Sequence, residues 1–94
     1  MTLTIFGNRF SVGALVITRG AWDELPQDEV WYSLVRHMGG DWGDLVESDR
    51  EQNDEAVNNG GRLMSRYSTR SGTVFWIITE YDRSVTTILL PMEY

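Results

Sequence analysis

From Leu63 onward apolar and polar residues exchange places with a period near two, whereas between Trp22 and Met38 they recur with a period near 3.6. The first texture divides into Leu63 to Thr69, Thr73 to Glu80 and Val85 to Leu90, parted by Ser71-Gly72 and by Tyr81 to Ser84. Spacing this short predicts an antiparallel meander. Its middle run is apolar on both faces, Val74, Trp76 and Ile78 on one and Phe75 and Ile77 on the other, and is expected at the centre of the sheet. Upstream, Val30, Trp31, Leu34, Val35 and Met38 mark an amphipathic helix. Pro26 and the acids after it suit its start, and Gly39-Gly40 its end. Trp22 and Leu25 form a short turn-like piece before it. A further helical stretch, capped by Asp41 or Gly43, is expected to run through Val57, with Leu45, Val46, Ala56 and Val57 as sparse apolar contacts and Asn58 to Gly61 as its stop. Leu3 to Phe6 and Ala14 to Thr18 are β-prone and separated by Gly7-Asn8 and Gly13, which suggests an N-terminal strand or loose hairpin. The predicted class is α+β: a small antiparallel sheet, made of the C-terminal three-strand meander plus an N-terminal strand, with two or three helices on one face.

Ninety-four residues predict a single domain, 1–94, with a small core to which four Trp, four Tyr and three Phe contribute heavily. Cysteine is absent, which excludes disulfides and thiolate metal clusters. All eight cations are arginine, which excludes a lysine Schiff base, general base or phosphate hook. The longest uncharged runs fall well short of the roughly 20 residues that span a bilayer. With no cationic segment leading into an apolar stretch and a cleavage site, the chain is expected in the cytoplasm, away from membranes.

Charge changes the picture most. Of the fourteen carboxylates, eleven lie between Asp23 and Glu55, where only Arg36 and Arg50 oppose them, while the flanks are net basic. Nucleic acid is therefore not expected as a direct ligand; a basic protein or the basic groove of a nucleic-acid-binding complex is the complement. On a helix from about Gly43 to Asn58, Asp44, Glu47, Glu51, Asp54 and Glu55 share one face. Neighbours at that spacing lie roughly 5–6 Å apart. Duplex DNA carries about one charge per 1.7 Å of axis over both strands, so a carboxylate row can imitate a phosphate row, although a merely solvated helix face has the same pattern.

Trp42, between Gly40-Asp41 and Gly43-Asp44, is either a core plug or an aromatic anchor ringed by acids. His37, the only histidine, is expected as a helix-end cap or surface residue. Without cysteine or a second histidine a zinc site would rest on carboxylates and water, which is poor zinc chemistry, and magnesium would need the fold to bring Asp41, Asp44 and Asp82 together; no cofactor or metal is expected. Arg62, Arg66 and Arg70 alternate on one strand and are candidates to pair with the acidic helix, within the chain or across a dimer. Turn chemistry accounts for Asp82 and Ser84, and a local salt bridge for Arg83.

The strings Arg36-His37-x-x-Gly40-Asp41-Trp42-Gly43-Asp44 and Trp76-Ile77-Ile78-Thr79-Glu80-x-Asp82-Arg83-Ser84-x-Thr86-Thr87-Ile88-Leu89-Leu90-Pro91-x-Glu93-Tyr94 resemble a family of small plasmid-related proteins carried on plasmids, prophages and integrated elements. The resemblance covers roughly Val30 to Tyr94. It implies an accessory protein of a mobile element and carries no catalytic residues. Combined with the acidic helix, it makes the expected function that of a non-enzymatic anti-defence inhibitor, an anti-CRISPR protein. Asp41, Trp42, Asp44, Glu47, Glu51, Asp54 and Glu55 would occupy a DNA-binding surface of a CRISPR effector complex as a DNA mimic. The rival expectation is a non-catalytic accessory subunit of a plasmid maintenance or restriction-modification system. A small carboxylate-based, metal-dependent hydrolase is a third and weaker alternative, and a homodimer is compatible with all three.

Overall fold

The change of period near Gly61 is also the boundary between the helical layer and most of the sheet. In the computed structural model, which describes residues 8–94, the chain runs through β1 (Ala14–Ile17), α1 (Arg19–Glu24), α2 (Gln27–Met38), α3 (Glu47–Asn59), β2 (Leu63–Ser68), β3 (Val74–Thr79) and β4 (Val85–Leu89) and closes in a 3-10 turn over Pro91–Glu93. The class is α+β, as the two textures predict. The β-prone Leu3 to Phe6 lies outside the described residues.

Strands β2, β3 and β4 form the antiparallel meander, with Ser65 opposite Ile77 and Ile77 opposite Ile88. β1 is different: it lies parallel to β4, Ala14 opposite Val85 and Ile17 opposite Ile88, so the order is β1-β4-β3-β2. Parallel neighbours need a long crossover. Everything from α1 to β3 serves as one here, an arrangement that local spacing cannot foretell.

Alternate strand residues face opposite ways, which places Leu63, Ser65 and Tyr67 on one face with Phe75, Ile77, Thr79, Thr86 and Ile88. The helices α1 and α2 close that face: Ala21, Leu25, Val30, Leu34 and Met38 join Tyr67, Phe75, Ile77, Ile88 and Leu90 in one buried core. Each large apolar side chain buried there contributes roughly 1.5–3 kcal/mol. This layer, and not the polar α3, therefore supplies most of the stability. Glu93 ties the first turn of α1 to the C-terminal 3-10 turn: its carboxylate accepts from the Gly20 N–H at 3.0 Å and the Leu90 N–H at 2.9 Å. The Thr18 hydroxyl beside it is the main reason that the carboxyl is held below the usual carboxylate range.

Helix α2 begins directly after Pro26, with Asp28 and Glu29 in its first turn. It ends in a Schellman arrangement, with the Asp41 N–H on the Arg36 carbonyl at 2.8 Å and the Gly40 N–H on the His37 carbonyl at 3.0 Å. Gly40 sits at φ +83°, which a side chain would disfavour.

The second predicted helix starts later than expected. Neither Asp41 nor Gly43 caps it: α3 begins at Glu47 after Val46, and it ends at Asn59 where Gly60 adopts φ +84°. The backbone before it is already committed, because the Arg66 N–H donates to the Trp42 carbonyl at 3.1 Å and the Asp44 N–H to the Arg66 carbonyl at 2.7 Å. Residues 42–44 thus run along the outer edge of β2 as a bridge and cannot turn into a helix. Gly43, at φ +74°, passes so close that a Cβ would run into the Arg66 carbonyl. Among the described residues no helix is long and apolar enough to cross a membrane.

Candidate functional site

Helix α3 reads ESDREQNDEAVNN and has almost no apolar stripe; its one buried residue is Asn53. It is held by polar anchors. The Asn53 carboxamide donates to the Met64 carbonyl at 2.8 Å and accepts from the Met64 N–H at 3.2 Å, so a side-chain amide takes the place of a neighbouring strand's peptide at the edge of β2. The Trp42 Nε1–H donates to Asp54 Oδ1 at 2.9 Å. At the C-terminal end the Arg83 guanidinium donates to the Ala56 carbonyl at 2.7 Å and the Gly61 carbonyl at 2.6 Å, placing a cation where the helix dipole is negative. Asn53→Ala should therefore lower stability by about 1–3 kcal/mol, since it leaves both Met64 groups unpaired. Urea unfolding checks the loss, and hydrogen exchange at α3 amides checks that it is local.

The Arg83 geometry corrects the expected local salt bridge. Arg83 sits at φ +61° and its side chain reaches backbone carbonyls, with the guanidinium 5.7 Å from the Phe10 ring centroid. Asp82 accepts instead from the Ser84 hydroxyl and N–H, at 2.6 and 3.0 Å, and these bonds hold its carboxyl below the usual range.

The predicted site residues separate into two groups. Glu47, Glu51, Asp54 and Glu55 are exposed; Glu51 and Glu55 lie opposite Asn53 with Glu47 beside them, whereas Asp54, about 100° from Asn53, sits on the flank that reaches Trp42. Asp44 is exposed on the extended segment before the helix, not on it. Asp49 turns the other way, into a groove shared with Met64, Arg66 and Trp76. Among the described residues, no cation lies within ion-pair distance of Asp44, Glu47, Glu51 or Glu55, whereas Arg9 approaches Asp54 at 3.4 Å. That exposed contact is worth about 0–1 kcal/mol.

Asp41 and Trp42 are scaffold. Asp41 takes two hydrogen bonds from Arg36, at 2.8 and 3.2 Å, and this pairing is the chief reason its carboxyl lies below the usual range. The Arg36 guanidinium lies 4.8 Å from the Tyr67 ring centroid, and the Tyr67 hydroxyl donates to the Asp41 carbonyl at 2.6 Å. Burial pushes the Tyr67 phenol up. Trp42 is 3% exposed and stacks on Phe10 with the ring centroids 5.9 Å apart. Of the two roles open to it, the structure gives it the core plug.

The strand arginines do not serve α3. Arg62 pairs with Glu80, Arg70 with Asp28 and Glu29, and Arg66 makes no ion pair among the described residues. Arg62 and Arg70 are engaged by acids outside α3, and Arg66 lines the groove beside Asp49 without coming within ion-pair distance of it.

His37 is neither cap nor surface residue. It is fully buried beneath α2, with Nδ1 2.5 Å from the Ser65 hydroxyl and Nε2 2.9 Å from that of Thr79, and burial pulls it down to about 3. The helix simply turns that position inward, edge-on to Phe10 and Trp42. The overlooked signal was the phase of Ser65, Thr79 and Thr86, hydroxyls that alternate with the core residues. Asn53 had no comparable signal within its polar helix. Among the described residues no group of three His, Asp or Glu side chains is placed to hold a metal ion.

No family model matches the chain, and neither a curated protein nor a solved structure matches it.

Proposed function

We propose that the protein acts by binding, as an anti-defence inhibitor whose α3 face occupies the basic DNA-binding groove of a CRISPR surveillance complex. One observation carries the reading. Helix α3 is fastened to the sheet through Asn53, Trp42 and Arg83, which leaves Glu47, Glu51 and Glu55 unpaired and exposed along one side, with Asp54, the acceptor for Trp42, at the row's inner edge. Like charges one helical turn apart cost a few tenths of a kcal/mol each. A rigid row of this kind favours a partner whose cations replace that repulsion, speeds encounter, and makes the complex salt-sensitive. Asp41 and Trp42 act behind the row, fixing the segment that leads into it.

The test is affinity capture from host lysate at about 50 mM and about 500 mM salt, a range over which contacts of this kind weaken strongly. The double variant Glu47→Arg/Glu51→Arg runs alongside. Both positions are exposed and only Glu47 sits in the first turn of α3, so the variant should unfold in urea within about 1 kcal/mol of the parent. Capture of a CRISPR complex that salt and the variant both abolish is the expected result. Undiminished capture or inhibition by the folded variant would sink the mimic. Recovery solely of proteins encoded by the same mobile element would favour the accessory-subunit reading.

A further inference from the structure

The opposite edge of the sheet carries a second surface of different chemistry. β1 is the outermost strand, and none of the other described strands pairs with its free side. The Ala14 N–H donates to the Ser84 carbonyl and the Thr18 N–H to the Ile88 carbonyl, so the even-numbered peptides face β4. The N–H and C=O groups of Leu15 and Ile17 are thereby left on the open edge. Exposed edges are ordinarily blunted by charge, proline or a bulge. Ala14–Ile17 has no charge and no proline. Beside it lies an apolar groove of about 320 Å³ lined by Leu15, Ile17, Trp22, Val30, Trp31 and Ile88 among others. Both tryptophans are more than half exposed, at 57% and 59%.

We infer that this edge and groove bind an extended segment of another protein by strand addition, with apolar side chains at alternate positions and Lys or Arg on either flank. The backbone groups of Leu15 and Ile17 supply the pairing, and every second side chain of the added strand points into the groove. The tryptophans are the anchor class for such interfaces. Charge selects the occupant: Asp23 and Glu24 follow Trp22 and are exposed without an ion-pair partner among the described residues, while Asp28, next to Gln27 at the groove, is already shared with Arg70. A second copy of the chain, itself at net charge −6, would bring these acids toward their own counterparts across a shared axis. A basic-flanked strand meets them with opposite charge.

The probe is a fluorescent peptide alternating Val and Thr about a central Trp, with paired Lys residues at both ends, read by anisotropy on the full chain. It should bind, and Trp22→Ser and Trp31→Ser should each weaken it about tenfold or more, equivalent to about 1.4 kcal/mol. A version with proline at the Thr positions, or with Glu for Lys, should not bind. Glu47→Arg/Glu51→Arg should bind the peptide normally, which separates this surface from the α3 face. The inference is overturned if the peptide fails to bind, if binding ignores the tryptophan variants, or if the Glu-ended peptide binds equally. It is also overturned if sedimentation shows a dimer that Trp31→Ser dissociates, which assigns the groove to a second copy. Peptide binding that appears only after deletion of residues 1–7 would assign it to the chain's own N-terminal segment.

Discussion

Taking the protein from pH 8 to pH 4 should cost about 3 kcal/mol of folding free energy through His37 alone. The cause is a one-way chain of hydrogen bonds whose direction is set from its far end. The Thr86 hydroxyl lies 2.8 Å from the Val12 carbonyl, which can only accept, so Thr86 donates there and must accept from Thr79 at 2.7 Å. Thr79 then accepts from His37 Nε2–H, and Nδ1 is left to accept from the Ser65 hydroxyl. Every member is satisfied only while the imidazole is neutral. A proton added at Nδ1 would face the Ser65 hydroxyl, in a site without solvent and near the Arg83 charge. Burial first, and Arg83 second, therefore pull His37 down to about 3 from its ordinary 6.5.

The sign follows from which state binds the proton. The unfolded chain takes it up as pH falls through about 6.5, while the folded chain resists until about 3. Stability is thus fully present above the unfolded value and lost progressively through that window. The depressed carboxyls of Asp41, Asp82 and Glu93 lose their native partners' benefit at the acid end, and so act in the same direction. Urea midpoints followed by tryptophan fluorescence from pH 8 to pH 4 measure the slope. His37→Gln, which keeps one donor and one acceptor, should be less stable at pH 8 and much less sensitive to acid. Parallel slopes in the two proteins would remove His37 as the cause.

Trp42→Ala should destabilise the fold by about 3–5 kcal/mol, a large share of the roughly 5–15 kcal/mol typical of a domain. The indole packs against both Phe10 and His37, with ring centroids at 5.9 and 5.6 Å, and its N–H is the neutral tether of α3 through Asp54. Removing it opens a cavity next to the buried hydroxyl chain and takes away one of the three anchors of the acidic helix. Trp42→Phe keeps most of the packing and loses only the tether, for about 1–2 kcal/mol. The comparison separates a plug from a contact residue. If Trp42 works from inside, folded Trp42→Phe should retain partner binding, and Trp42→Ala should lose it only as far as it unfolds. An unchanged urea midpoint for Trp42→Ala would overturn the assignment.

The surrounding motif was visible before its purpose was. Gly40, Asp41, Trp42 and Gly43 stand out in the sequence, but their spacing reads equally as a helix cap. The fold instead spends them on a Schellman turn, an ion pair over Tyr67, a core plug and a close crossing of β2. Helical period alone makes Glu47, Glu51 and Glu55 neighbours on one side of α3, whereas Asp54 is drawn to the flank by its bond from Trp42. Asp44 was lost to the row because its backbone hydrogen bond to Arg66 comes from 22 residues away in the chain.

Local order was therefore within reach of the sequence: the strands of the meander, the limits of α2, the apolar face of each, and the excess of carboxylate in the middle third. These depend on neighbours a few residues apart, through strand alternation, helical period and turn residues. Tertiary structure decided the rest. It set β1 parallel to β4 and turned His37 inward, it gave Arg83 to the end of α3 and Asn53 to the edge of β2, and it left α3 and the β1 groove at opposite margins of one sheet. Each is a pairing between distant segments, chosen by which buried polar groups must find partners once the core closes; only the inward turn of His37 left a local trace, in its helical phase with Val30 and Leu34 and in the alternation of the hydroxyls that face it.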